Sequence, residues 1–183
     1  MDEVRRQHPF AAVEVWAQDE QRVGLRPLLR RVWAPRGGRP VVRVRPRYEW
    51  LWLDGFVRPT TGQTEWRLLP RVSTAVFEVA LAHFAQAVGA GPDKQVLVVL
   101  DRAGGHTTDD LVRPAGRHLV FLPAHSPELQ PAERLWPLCN EGVANQLCAT
   151  LADLEAAVAE RLVALKDAAV RRLPCYHRWP QHT

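Results

Sequence analysis

Hydrophobic and polar positions along the chain fall into two periods. Residues 11–17 (AAVEVWA) alternate and mix β-branched with aromatic side chains, which predicts a strand ending just before Asp19 and Glu20. Two short strands are expected at 31–34 and 41–45, on either side of the turn formers Pro35-Arg-Gly-Gly, and the aromatic-rich stretch 48–57 predicts a further one. The turn Pro59-Thr-Thr-Gly62 then leads into 64–69, which predicts a hairpin. From Ser73 the period becomes helical: Phe77, Ala80, Leu81, Phe84 and Val88 line one face, with Ser73 or Thr74 as cap and Gly89-Ala-Gly-Pro92 as stop. Residues 95–100 (QVLVVL) are continuously apolar, as in a strand buried on both faces, and 118–122 (HLVFL) read the same way. A short helix is expected near Thr107 or Thr108. A Pro-rich loop spans 123–131, a helix opens with Pro131 in its first turn, and a last helix starts at Thr150, whose Thr-x-x-Asp153 resembles a capping box. In that last helix Leu151, Leu154, Val158, Leu162 and Leu165 form a stripe assigned to packing. The order predicts an α/β fold: a mixed sheet, antiparallel first and parallel later, with helices on both faces.

Composition narrows the class. A chain of 183 residues, 46% hydrophobic and 24% charged, has enough apolar material for one domain with a real core and is not disordered. The longest aliphatic run, 96–100, is far short of the roughly 20 residues a membrane helix needs. No apolar stretch follows the mixed-charge N-terminus, so a cytoplasmic protein with no membrane partner is expected. Cys139, Cys148 and Cys175 show no close pairing, which points to reduced, structural thiols. Net charge is only +4, but nine arginines (Arg22, Arg26, Arg30, Arg31, Arg36, Arg39, Arg43, Arg45 and Arg47) stand in a stretch without a carboxylate. Such a stretch follows a phosphate backbone, or it is a solvated face in a protein that prefers arginine to lysine; charge alone does not separate the two.

Three carboxylates stand at element ends. Asp19 and Asp101 each follow a predicted strand, and if those strands are neighbours both emerge at one edge of the sheet, where open α/β sheets place their ligands. Glu133, in the first turn of a predicted helix, points to the same edge if that helix crosses it. Three hard oxygen ligands without a histidine or cysteine frame suit Mg²⁺ or Mn²⁺, and two such ions roughly 3.5–4 Å apart activate an attacking oxygen and stabilise a leaving one. Each residue also has a structural reading: a turn for Asp19, a cap for Asp101, a favourable helix-dipole charge for Glu133. Asp109 and Asp110 read as first-turn helix charges, Glu20 and Glu128 as neighbours that are solvated or assist a metal, and Trp16, Trp50, Trp52 and Trp136 as core or sheet packing, with base stacking as the lesser reading.

The run Val98-Val-Leu-Asp101-Arg-Ala-Gly-Gly-His106, followed by Leu119-Val-Phe-Leu-Pro-Ala-His-Ser-Pro-Glu-Leu-Gln-Pro-Ala-Glu133-Arg-Leu-Trp136, resembles the DDE-type catalytic domain of bacterial mariner-like transposases, the insertion-sequence-630 group. In that family the form is close to Leu-Asp-Asn-Ala-x-x-His and Leu-Pro-x-Tyr-Ser-Pro-x-Leu-Asn-Pro-Ile-Glu-x-x-Trp. Asp19-Glu20 and Trp33-Ala-Pro-Arg-Gly37 look like the family's first catalytic strand and the turn after it, so the resemblance runs from roughly 13 to 165. It implies an RNase H-like fold with a five-stranded-type sheet, and Asp19, Asp101 and Glu133 as a triad that holds Mg²⁺ or Mn²⁺. It implies cleavage of transposon ends by metal-activated water, then attack of the freed 3′-hydroxyl on target DNA, usually at TA. DNA is the implied partner, with Arg102 and His106 beside the second aspartate placed to touch phosphate; His106 also has a loop-holding reading. This sequence has Arg102, His125 and Gln130 where the family has asparagine, tyrosine and asparagine, and 31 residues separate Asp101 from Glu133. Pro137, in the expected second turn of the catalytic helix, predicts a kink.

Only 18 residues precede Asp19, too few for a helix-turn-helix reader, so residues 1–183 are expected to be a single catalytic domain with an irregular tail at 169–183. A homodimer and a separate N-terminal DNA-binding chain remain open as partners. Two alternatives stand beside the transposase reading: a decayed or split fragment that binds DNA non-specifically without catalysis, and a related RNase H-like nuclease.

Overall fold

The computed structural model describes residues 1–43, 47–101, 116–124 and 126–173. Its spine is β1 (Ala12–Gly24), flanked by β2 (Trp50–Arg58) on one side and β4 (Lys94–Leu100) on the other; β3 (Gln63–Leu69) and β5 (Arg117–Phe121) complete a five-stranded sheet in the order β3-β2-β1-β4-β5. The β1–β2 and β2–β3 pairs are antiparallel, and the β1–β4 and β4–β5 pairs are parallel. The mixed sheet expected from the order of patterns is therefore present. Its change of direction follows from the connections: a tight turn at 59–62 joins β2 to β3, whereas α2 (Thr74–Val88) carries the chain over to the parallel strand β4.

Alternation along the strands builds two cores. On one face Trp16, Phe56, Val96, Val98 and Leu100 meet Phe77, Leu81 and Phe84 of α2, with Phe56 and Phe84 stacked 4.0 Å apart. Ser73 caps α2 by accepting from the Val76 N–H, and Gly89 ends it in the left-handed conformation at φ 69°. On the other face Ala17, Val23, Leu51, Leu53 and Val57 pack against Ala132, Leu135 and Cys139, against Leu154, Val158 and Leu162 of α4 (Leu151–Ala164), and against Val170 of α5 (Asp167–Arg171). There α1 (Asp2–Gln7), which the patterning did not predict, covers Val15, Leu97 and Val99 with Val4.

Several elements differ from the sequence expectation, each for a non-local reason. β1 does not stop before Asp19: it continues to Gly24 because β2 keeps pairing with it, from Asp19↔Gly55 to Gly24↔Trp50. Residues 31–34 form no strand, and neither do 41–43; they have no partner edge, and Val32, Trp33 and Val41 are exposed. β5 is an edge strand whose Val120 faces solvent, not a strand buried on both faces. The loop before Pro131 contains a 3-10 turn at Pro127–Leu129, and the helix opening at Pro131 is a 3-10 segment, Pro131–Leu135, that passes into α3 (Trp136–Asn140). Pro137 thus lies in the first turn of α3, directly after the change from 3-10 to α geometry, and not in the second turn of one continuous α-helix. Thr150 and Asp153 make the full capping box of α4. α5 occupies the beginning of the segment expected to be irregular. The predicted helix near Thr107 lies outside the described residues, as does the tail from 174. Among the described residues no helix is long and apolar enough to cross a membrane.

The aromatic stack and the helix cap should separate by size in urea denaturation followed by circular dichroism. Phe84→Ala is expected to lose about 3–5 kcal/mol, because its neighbours cannot close over the space, and Thr150→Ala about 1 kcal/mol.

Candidate active site

The position of the first two carboxylates follows from the β1–β4 register. The last parallel pair is Ala17↔Val99, and two residues further along each chain stand Asp19, still held in β1 by β2, and Asp101, the residue directly after β4. Continued past its last pair, the register places the two aspartates opposite one another at the carboxyl end of β4. Glu133 comes from the 3-10 segment, which buries Pro131, Ala132 and Leu135 against the sheet and leaves Glu133 and Arg134 exposed.

That segment is tied to β1 beside Asp19. Buried Gln130 caps it through Oε1, which accepts from the Ala132 N–H, while its Nε2 donates to the Gln18 carbonyl at 2.8 Å. Trp136, three residues after Glu133, donates its indole N–H to Asp19 Oδ2 at 2.9 Å. Gln21 Nε2 adds a third tie, to Asn140 Oδ1 at 2.9 Å. The indole has room because Gly55 stands opposite Asp19: a Cβ there would lie 3.1 Å from Trp136 and 2.7 Å from Trp66. A glycine inside a strand marks such a close approach. It was the one signal in the sequence for this contact, and the packing assignment of Trp136 describes only half of what the indole does.

Electrostatics link the three carboxylates. Burial pushes Asp19 up to about 7; the Trp136 N–H pulls it down, and the charges of Glu20 and Asp101 push it up again. Glu133 is also raised, by burial first and then by Asp101, with Arg134 opposing and Glu128 adding. The charge of Glu20 acts on Asp19 and that of Glu128 on Glu133, as the reading of both as neighbours of the site allows. Carboxylates crowded so that the charge of Asp101 raises both Asp19 and Glu133 are the donor set a hard divalent cation relieves, so the three fit Mg²⁺ or Mn²⁺ in chemistry. Among the described residues no three His, Cys, Asp or Glu side chains close around one point. The triad is brought to one edge without being converged into a ligand cage.

Of the predicted DNA-contacting arginines, Arg22 lies near the end of β1, and Arg26, Arg30, Arg31, Arg36, Arg39, Arg43 and Arg47 fall on the connection between β1 and β2. Arg22, Arg26, Arg30, Arg31, Arg36, Arg39, Arg43 and Arg47 are exposed; Arg45, Arg102 and His106 lie outside the described residues. Arg22 stacks over Trp50 at 5.1 Å, Arg30 donates to the Pro137 carbonyl, and Arg47 donates to the Ala149 carbonyl and pairs with Glu49. Asn145, in the left-handed region at φ 58°, holds both the N–H and the carbonyl of Arg30, a contact the sequence did not announce. Cys139 is buried with its thiol pushed up to about 12, as expected of a structural cysteine, and Cys175 lies outside the described residues.

A mixed five-stranded sheet, with Asp19 on β1, Asp101 directly after the neighbouring parallel strand β4 and Glu133 on the helical segment packed against the sheet, is an RNase H-like arrangement. Residues 14–155 match the family described as DDE superfamily endonuclease, and the chain belongs to that family. A Sinorhizobium fredii relative, the uncharacterized protein y4pE/y4sA, is 36% identical over 92 residues, which cover 50% of this chain and 67% of the relative. The catalytic domain of the Mos1 mariner transposase superposes with a TM-score of 0.63 at 16% identity, covering 93% of this chain and 79% of that one. The Mos1 mariner paired-end complex with Mn gives 0.66 at 18%, covering 87% of this chain and 51% of that one. The chain thus spans about half the length of the transposase in that complex.

The Asp19 carboxyl carries a pH signature. Its folded pKa of about 7 lies above the ordinary 3.8, so its contribution to stability is complete below pH 3.8 and is lost as pH rises through 7. Asp19→Asn keeps an oxygen for Trp136 and removes the charge. In EDTA it should match the parent near pH 3.5 and melt higher at pH 8, by on the order of 2 kcal/mol or roughly 4–8 °C. A lower melting temperature at pH 8 would show instead that the ionised carboxylate supports the fold.

Proposed function

We propose that the chain is the catalytic domain of a DDE transposase, carrying out divalent-metal-dependent cleavage at the ends of an insertion sequence and transfer of the freed 3′-hydroxyl to target DNA. The observation that carries the reading is the placement of Asp101: the β1–β4 register sets it against Asp19, and its charge reaches both Asp19 and Glu133. Asp19, Asp101 and Glu133 would hold Mg²⁺ or Mn²⁺, two ions in the full site, as Mn accompanies the Mos1 paired-end complex that shares this fold. When bound, the metal supplies activation of the attacking oxygen and charge neutralisation at the scissile phosphate. The residues themselves do the positioning. Trp136 orients the Asp19 carboxylate, and Gln130 keeps the Glu133 segment against β1. The exposed arginines between β1 and β2 match a phosphate backbone in charge and reach, which supports DNA as the partner with little sequence preference from this surface. A second reading, a remnant that binds DNA without cutting it, draws on the open arrangement of the three carboxylates.

Nicking of supercoiled plasmid with Mn²⁺ separates the two. The parent should cut, and Asp101→Asn and Glu133→Gln should fall to below about one thousandth of its rate while binding DNA as before; a parent that binds and never cuts supports the remnant. Arg36→Ala with Arg39→Ala should weaken binding to all sequences alike and reduce the slope of log affinity against log salt by about two. Retention of the full slope would remove this stretch from the DNA surface.

A further inference from the structure

The polar ties between β1 and the segment carrying Glu133 differ in what they reach. Gln130 meets a backbone carbonyl and Gln21 meets Asn140, but Trp136 meets the Asp19 carboxylate itself, at Oδ2 and 2.9 Å. Its indole is wedged: Gly55 gives it room from below, Trp66 stands against it with ring centroids 6.3 Å apart, and the 3-10 segment hands over to α3 at its backbone. A wedged donor holds one oxygen of Asp19 in a fixed direction and leaves Oδ1 as the oxygen free of this bond. Because Trp136 lies three residues from Glu133 on one short helical unit, the same bond fixes the distance between the two acidic positions, whose sequence separation is more than a hundred residues.

We infer that Trp136 is a positioning residue for metal binding: its indole N–H sets the Asp19 carboxylate and locks the Glu133 segment to it, and Gly55 is glycine so that the indole reaches. This rests on the reading of Asp19 as a metal ligand. Outer partners of this kind typically contribute about 10–100-fold to metal affinity.

The test is Mn²⁺ titration followed by electron paramagnetic resonance of the free ion, on the full chain with and without a short DNA duplex, alongside melting curves in EDTA. Trp136→Phe keeps a ring over Gly55 and loses the N–H; Trp136→Leu loses both. The expected result is binding about tenfold weaker in Trp136→Phe, with melting within a few degrees of the parent because the Gln130 and Gln21 ties remain. Gly55→Ala, which keeps the indole but crowds it, should weaken binding in the same direction. Parent-like affinity in Trp136→Phe with loss only in Trp136→Leu makes the indole a packing group and overturns the inference alone, provided Asp101→Asn abolishes binding. A parent that binds no Mn²⁺ in either condition overturns the metal reading and this inference together.

Discussion

Six residues of β1 pair in parallel with β4, from Ala12↔Lys94 to Ala17↔Val99, and the acidic positions of the site are spaced from the end of that ladder. A parallel pair needs a crossover, which α2 supplies, and both faces of the pair are then covered: by Phe77, Leu81 and Phe84 on one side and by α1 and the helical segments after β5 on the other. Once those cores pack, the register has no freedom to slip, because a shift by one residue would turn Trp16 and Val98 out of their cluster and Ala17 into it. Two aspartates more than eighty residues apart in sequence are then opposed without any direct attraction between them.

Holding them there is unfavourable. Asp19 is partly desolvated and lies within reach of the charges of Glu20 and Asp101, so its ionised form works against stability and the neighbouring packing must offset it. Leu53 and Phe56 of β2, on either side of Gly55, and Ala132 and Leu135 of the segment carrying Glu133 are all fully buried. The ties from Gln130, Trp136 and Gln21 belong to this balance as well. They satisfy polar groups that would otherwise be buried without partners, and they do so by fastening the Glu133 segment to three positions of one strand, 18, 19 and 21.

The basic connection between β1 and β2 is fastened to the same part of the molecule. Leu28 bridges Ala144, Arg30 is held by Asn145 and reaches the Pro137 carbonyl, and Arg47 reaches the Ala149 carbonyl. Both ends of the arginine stretch therefore rest on α3 and the loop that follows it, the continuation of the segment bearing Glu133. In a member of the DDE endonuclease family this links the surface suited to phosphate with the element that presents the third carboxylate.

Much of this was legible along the chain because the signals are local. The apolar run of β4, the 59–62 turn, the helical spacing of α2 and the Thr150 capping box each depend on residues within a turn or two of one another, and Asp101 directly after the β4 run stood out for the same reason, whereas Asp19 lies inside β1 and not at its end. The length of β1 was not legible, since residues 18–24 are strand only because β2 lies beside them, and the β-branched stretch at 31–34 failed as a strand because no edge was there to receive it. Nor could periodicity show that the helix after Pro131 begins as a 3-10 segment, which puts Pro137 in the first turn of α3. The sequence by itself determined the order and kind of most elements, the identity of the acidic residues and the family they resemble. Tertiary structure alone decided that Asp19 is half-buried and within reach of the charge of Asp101, and that Trp136, 117 residues away, reaches it over Gly55. Burial, register and close approach are properties of strands and helices already packed together, and no window of the chain contains them.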